Sequence, residues 1–214
     1  MNCCQCQGIE ELFSQKYVTK ELLRYRVKGP DKTTRILTEA IKAMDVDGFT
    51  LLDIGGGVGA VQHELLASGV GQVTNVEAST AYINAARAEA QRRGLADRMS
   101  FYHGNFVDLA ADVPAADIVT LDRVICCYPD MEKLVGLSAA RARKLYGLVY
   151  PRDTWWMKIG LALQNFFFWL QRSPFRTFSH PNVAIEAIMD DNGLKRHFYR
   201  RTLVWQVVVY IRSV

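Results

Sequence analysis

At 214 residues, half of them hydrophobic and 22% charged, the chain is long enough for one domain with a proper core and too balanced for extended disorder. Its 26 basic and 22 acidic residues leave a net charge of +4, gathered mainly at 141–144 and 195–201. That mild excess argues against a nucleic-acid substrate. Five cysteines occur as Cys3, Cys4, Cys6 and the pair Cys126-Cys127, an odd count that suits a reducing compartment. Cys3-Cys4-x-Cys6 is too tightly spaced for tetrahedral zinc, so no metal is expected. The N-terminus lacks the basic start and apolar core of a signal peptide, and the longest apolar stretch, 159–170, is broken by Gln164 and Asn165. A soluble, cytoplasmic protein is expected.

In chain order, Ile9, Leu12, Phe13, Lys16, Tyr17, Leu22 and Leu23 recur at helical spacing and predict a helix over 8–27. Gly29-Pro30 ends it. Asp31 then caps a second helix over 31–44, with Ile36, Leu37, Ala40, Ile41 and Met44 on one face. Together they make an N-terminal helical cap, 1–47, which either only covers the sheet or also closes over a ligand. From Phe49 onward apolar runs alternate with helical patterns. Strands are predicted at 49–54, 72–76, 99–103, 117–121 and 145–150, and helices at 60–67, 80–93 and 131–142. That alternation implies an α/β core over 49–150, a parallel sheet with helices on both faces. An aromatic insertion, 152–180, interrupts it. A helix over 183–191 and two strands, 195–201 and 203–212, fill the closing segment 181–214. No repeat or linker divides 1–214, so a single domain is expected.

The stretch Leu51-Leu-Asp-Ile-Gly-Gly-Gly-Val-Gly59 carries the functional signal. A buried strand running through glycines into a helix brings bare backbone to one point, as nucleotide sites in α/β proteins do. Gly55, Gly57 and Ala60 satisfy the dinucleotide fingerprint, and Glu77 lies at the distance of its ribose-binding acid. The motif alone therefore fits NAD and S-adenosylmethionine equally. Three observations separate them. Asp53 would repel a pyrophosphate at this turn, whereas it suits the ammonium and sulfonium of S-adenosylmethionine. No second glycine turn follows the strand at 117–121. The chain also closes on an apparent antiparallel pair of strands.

On these residues the chain from about 49 to 214 resembles the class I S-adenosylmethionine-dependent methyltransferases. The resemblance implies a Rossmann-like seven-stranded sheet with an antiparallel last strand inserted beside the fifth, and S-adenosyl-L-methionine as cofactor. It implies that the loop of Gly55, Gly57 and Gly59 passes under the amino-acid end of the cofactor and that Asp53 contacts that end. Glu77 would accept hydrogen bonds from both ribose hydroxyls. Asn105, within Tyr102-His-Gly-Asn-Phe106, matches the residue that reads the adenine amino group, where many members have Asp. Phe106 would pack against the ring, although a plain core position also suits it.

The acceptor side is expected at Leu121-Asp-Arg-Val-Ile-Cys-Cys-Tyr-Pro129. Asp122 matches the position after the fourth strand that lines the active site in this family. Arg123 either forms a structural pair with it or binds an anionic acceptor, and Tyr128 is a contact or weak acid–base group. Through Asp122, Ile125, Tyr128 and Pro129 the segment is also similar to magnesium-protoporphyrin O-methyltransferases. It differs by one extra residue and by Cys127 in the place of their His. The run 155–170 is apolar around most of a helix and needs cover from protein, a partner chain or lipid. It is expected as the wall or lid of a site for a flat or greasy acceptor, with peripheral membrane contact or a homodimer interface as alternatives. Arg172, Arg176 and His180 follow it; His180 is either a proton-transfer group or a loop residue. The expected function is methyl transfer to a small hydrophobic or aromatic acceptor with an anionic group. The rivals are a dinucleotide-binding oxidoreductase and a catalytically silent binding module of the same fold.

Overall fold

A computed structural model describes residues 4–213. Cys3 and the side chains of Cys4 and Cys6 lie outside the described part, and with them the expectation about their spacing. The strands are β1 Thr50–Ile54, β2 Gln72–Glu77, β3 Met99–His103, β4 Ala116–Asp122, β5 Ala142–Pro151, β6 Leu194–Arg201 and β7 Trp205–Arg212. They form one sheet in the order β3-β2-β1-β4-β5-β7-β6. β1 to β5 pair in parallel, and β7 runs antiparallel to both of its neighbours. This is the expected topology. The order reverses between β1 and β4, and open α/β sheets take ligands at such a switch point, beyond the carboxyl ends of the strands.

Neighbouring residues of one strand feed opposite cores, because side chains alternate across a sheet. Leu51 packs with Leu37, Ile41, Val61 and Leu65 on one face. Leu52 belongs to the other face, with Leu134, Val135, Ile185 and Met189. The first face is covered by α3 Lys32–Lys42 and α4 Ala60–Leu66, the second by α7 Met131–Ala139 and α9 Asn182–Asp191. β7 is flanked on both sides, and its Val207–Tyr210 are buried. β6 forms the edge, where exposed Lys195, Arg196, Arg200 and Arg201 discourage pairing with another chain.

The N-terminal region departs from expectation. The single helix predicted over 8–27 is two, α1 Cys4–Leu12 and α2 Gln15–Lys28, because Ser14 takes an extended conformation (φ −61°, ψ 159°) and starts the second. Gly8 lets α1 lie close to the chain: a Cβ there would sit 2.5 Å from the Phe175 backbone nitrogen. Asp31 precedes α3 but makes no capping bond from its side chain. Its carboxylate is held by Arg24 and Arg123 instead. α7 stops at Ala139, short of the predicted 142, since Ala142 already belongs to β5. The remaining helices are α5 Thr80–Arg92, the short α6 Phe106–Leu109, and α8 Trp155–Leu170.

Candidate active site

A cavity of about 280 Å³ opens beyond the carboxyl ends of β1, β2 and β4. Its floor is Gly55, Gly56 and Gly57, its sides carry Glu77, Asn105, Phe106 and Asp122, and Phe13, Tyr17 and Glu21 of the N-terminal region reach it from above. The N-terminal helices therefore belong to the site as well as covering the sheet. Four carboxyl residues line the space (Glu21, Asp53, Glu77 and Asp122) against one cation, Arg123. The lining thus favours a positively charged ligand.

Glu77 ends β2 with its carboxylate buried. Its Oε2 accepts from the Gly57 backbone N–H at 3.0 Å and its Oε1 from Ser79 N–H at 2.9 Å. Burial pushes its carboxyl up from the usual range, while these backbone bonds pull it back. Each oxygen keeps a lone pair free for a further donor. The glycine loop is held in turn: Gly55, Gly57 and Gly59 take φ of 67°, 55° and 86°, conformations that side chains disfavour. A Cβ on Gly57 would meet only the Tyr82 ring, at 3.8 Å, so this backbone is uncrowded. Gly56 is the crowded one, since a Cβ there would lie 2.1 Å from Gln62 Nε2 and 2.8 Å from Asp53 Oδ2. Sequence reasoning missed it, because the crowding comes from Gln62, six residues away on α4.

Asp53 is buried, 1% exposed, and accepts from Gln62 Nε2 at 2.9 Å and Thr120 Oγ1 at 2.7 Å. Burial pushes its carboxyl up to about 7 despite those two bonds, with Asp122 and Glu77 adding to the rise. A nearby cation would reverse that shift. Asn105 caps α6, its Oδ1 accepting from Val107 N–H at 3.2 Å. Its amide donates to Tyr128 Oη and to Asp108, each at 3.2 Å. Phe106 is a core residue, 3% exposed, that also reaches the cavity wall.

Asp122 and Arg123 are paired, Arg123 Nε donating to Asp122 Oδ1 at 3.1 Å and Nη1 to Asp31 Oδ2 at 3.0 Å. Thr34 Oγ1 donates to the other Asp122 oxygen. Arg123 adopts the left-handed backbone (φ 63°), costing on the order of 1–3 kcal/mol, and this aims it back towards the N-terminal helices. Desolvation works against its charge, but Asp122 and Asp31 outweigh it and hold the guanidinium protonated. Nothing in the sequence pattern signalled Asp31, Thr34, Tyr17, Glu21 or Tyr82 as parts of this region. Tyr82 donates to Glu21 and packs its ring 5.1 Å from Phe13. Tyr128 and Cys127 line the cavity, and the adjacent Cys126 is buried.

His180 does not line the cavity. Its Nε2 lies 2.9 Å from the Ile125 carbonyl and 3.1 Å from the Tyr128 carbonyl, so it donates to both and braces the turn after β4. Burial lowers its pKa, keeping the ring neutral. The structure corrects the insertion too: no residue of α8 lines the cavity, and only Met157 of that helix is buried. Among the described residues no cluster of potential metal ligands occurs.

Residues 52–145 match the model of the methyltransferase domain family. The ribosomal protein L11 methyltransferase of Edwardsiella ictaluri is 30% identical over 121 residues, 53% of this chain and 41% of that protein. The chain thus spans less than half the length of the curated relatives it matches. Among solved structures, the magnesium protoporphyrin IX methyltransferase of Synechocystis PCC 6803 superposes with a TM-score of 0.70 over 96% of this chain and 98% of that one, at 18% identity. The geranyl diphosphate C-methyltransferase of Streptomyces coelicolor A3(2) superposes with a TM-score of 0.66 over 94% and 84%, at 16% identity. The chain carries a class I S-adenosylmethionine-dependent methyltransferase domain. With that, the dinucleotide-binding oxidoreductase is set aside.

Proposed function

We propose that this protein transfers a methyl group from S-adenosylmethionine to a small, apolar or aromatic acceptor that is neutral at its reacting end. When bound, the cofactor supplies a methyl group on a cationic sulfur. The observation that carries the reading is the lining itself: four acids with a single, already paired arginine, beneath the aromatic rings of Phe13, Tyr17 and Tyr82. Glu77 offers acceptors to ribose hydroxyls, and Asp53 a carboxylate that an ammonium would ionise. Asn105 and Phe106 line the same cavity and would serve the adenine. The rings and the apolar Ile9, Val124 and Leu134 position the acceptor and exclude water. Asp122, fixed by Thr34 and Arg123, takes or orients the acceptor's proton, with Tyr128 beside it. The anionic group expected from Arg123 falls away, because Asp122 and Asp31 already compensate that charge.

The cavity is at the low end of ligand sites, which run to roughly 300–1,000 Å³. Cofactor and acceptor together therefore need α1 and α2 to give way, which makes these helices the lid. A second reading, methylation of a porphyrin carboxylate, draws on the fold likeness to the Synechocystis enzyme. The acid-rich lining and Cys127 in place of the expected His count against it. The test is methyl transfer from labelled S-adenosylmethionine to a panel of phenols, isoprenoid alcohols and porphyrins, with Asp122→Asn alongside. Transfer to neutral acceptors, lowered in turnover more than in cofactor affinity by Asp122→Asn, supports the proposal. Transfer confined to porphyrins, or full activity in Asp122→Asn, refutes it.

A further inference from the structure

We infer that the outward face of α8, with the arginines around it, docks on the surface of an anionic lipid bilayer. The helix has two apolar stripes. Met157, Leu161 and Phe168 make the inner one, and Phe168 meets Phe175 edge to face at 5.4 Å. Asn165 fixes the helix by two bonds to Thr177, Nδ2 to the carbonyl oxygen at 2.7 Å and Oδ1 from the N–H at 2.8 Å. The opposite stripe, Trp155, Ile159, Leu163, Phe166 and Leu170, is more than half exposed at every position. Phe167 and Trp169 extend it. Together these side chains present roughly 700 Å² of apolar surface, beyond the few hundred that monomeric proteins ordinarily leave in one patch.

The helix is about 24 Å long at 1.5 Å per residue. No helix among the described residues is long and apolar enough to cross a membrane. A helix apolar on its outer face, with tryptophan at both ends, fits the plane of the headgroup boundary.

Charge decides the occupant. Between 151 and 173 the one acidic residue is Asp153, and it is paired with Lys158 at 2.8 Å. Among the described residues Arg152, Arg172, Arg200 and Arg201 make no ion pair. β6 ends beside the short segment, 151–154, that leads into α8. Arg201 faces Gln206 there, the Gln206 amide donates to the Pro151 carbonyl at 3.1 Å, and Arg152 Nη1 donates to the carbonyl of exposed Leu203. The patch is thus greasy at its centre and basic at its rim. A second copy seated on it through a twofold axis would set these arginines against their own counterparts with no carboxylate between them. Anionic headgroups neutralise them, at a benefit that falls with salt.

The test is sedimentation of the full chain with phosphatidylcholine vesicles, with and without phosphatidylglycerol, alongside light scattering. The chain is expected to pellet with the anionic vesicles, weakly with the neutral ones, and to be monomeric in solution. Ile159→Glu with Phe166→Glu should abolish pelleting at an unchanged melting temperature. Arg152→Gln with Arg201→Gln, both outside the helix, should weaken partitioning roughly 30-fold. A chain that stays in the supernatant with both vesicle types overturns the inference. So does a dimer that the Ile159→Glu, Phe166→Glu pair dissociates, which would assign the patch to a second copy.

Discussion

Replacing Glu77 by alanine should weaken cofactor binding by about 2 kcal/mol, close to 30-fold in Kd. The figure follows from the geometry. The two carboxylate oxygens are already tied to Gly57 N–H and Ser79 N–H at 3.0 and 2.9 Å, and each keeps one lone pair for a ribose hydroxyl. Two charge-assisted bonds would bring more, but water competes for the same hydroxyls in the free cofactor. The substitution also strands two backbone donors, costing about 1–2 kcal/mol of stability, visible as a lower melting temperature. Calorimetric titration with S-adenosylhomocysteine measures the affinity. Repeating it with a 2′,3′-dideoxy analogue closes a double-mutant cycle that separates ribose contact from distortion of the glycine loop. The wild type should lose about as much on removing the hydroxyls as on removing Glu77, and the variant should lose little more. A coupling near zero would show that Glu77 only props the loop.

Other consequences can be checked with ordinary assays. Gly56→Ala puts a methyl 2.1 Å from Gln62 Nε2 and should displace the loop, lowering affinity for S-adenosylhomocysteine at least tenfold; unchanged affinity would mean that Gln62 moves freely. Asp53 has a folded pKa raised to about 7, so its contribution to stability is full below its unfolded value near 4 and is lost as pH rises through 7. Asp53→Asn should therefore raise the melting temperature of the ligand-free protein at pH 8 relative to pH 5. Binding should run the other way: affinity of the wild type for S-adenosylhomocysteine should climb between pH 6 and 8 with proton release, seen as a heat that depends on the buffer. A flat profile would remove Asp53 from contact with the ammonium. Glu89 clasps Arg26, Arg92 and Arg93, joining α2 to α5, and the Arg92 bond first among these holds its carboxyl well below the usual range. Glu89→Gln should cost about 2 kcal/mol, less than a fully buried pair because the guanidiniums are partly exposed. The loss should begin to shrink as pH falls through the unfolded value near 4.5 and vanish only well below it, as pH falls through the depressed folded value.

The sheet was legible because its inner strands are local apolar runs and the crossover helices have their own period. The glycine loop was legible for the same reason: strand, turn and helix follow within a dozen residues, and Glu77 lies one crossover later. The roof was not. Apolar spacing continues smoothly from Leu12 to Tyr17, so the break at Ser14 leaves no periodic mark. Asp31 looked like a cap, but its carboxylate turns to Arg24 on α2 and to Arg123, 92 residues away. Tyr17 and Glu21 reach the cavity only because α2 packs on α5, a contact that no local pattern encodes. For α8 the sequence showed a helix apolar nearly all round. Which stripe turned inward was settled by Asn165 meeting Thr177 and Phe168 meeting Phe175, contacts to the segment that follows the helix and that its own period does not encode.

The most direct test of the account is calorimetric titration of the intact chain at pH 8 with S-adenosylhomocysteine, with NADH as the control. One site per chain for S-adenosylhomocysteine, weakened about 30-fold by Glu77→Ala, and no heat with NADH is the predicted result. Binding of NADH alone, or of neither compound, would contradict it.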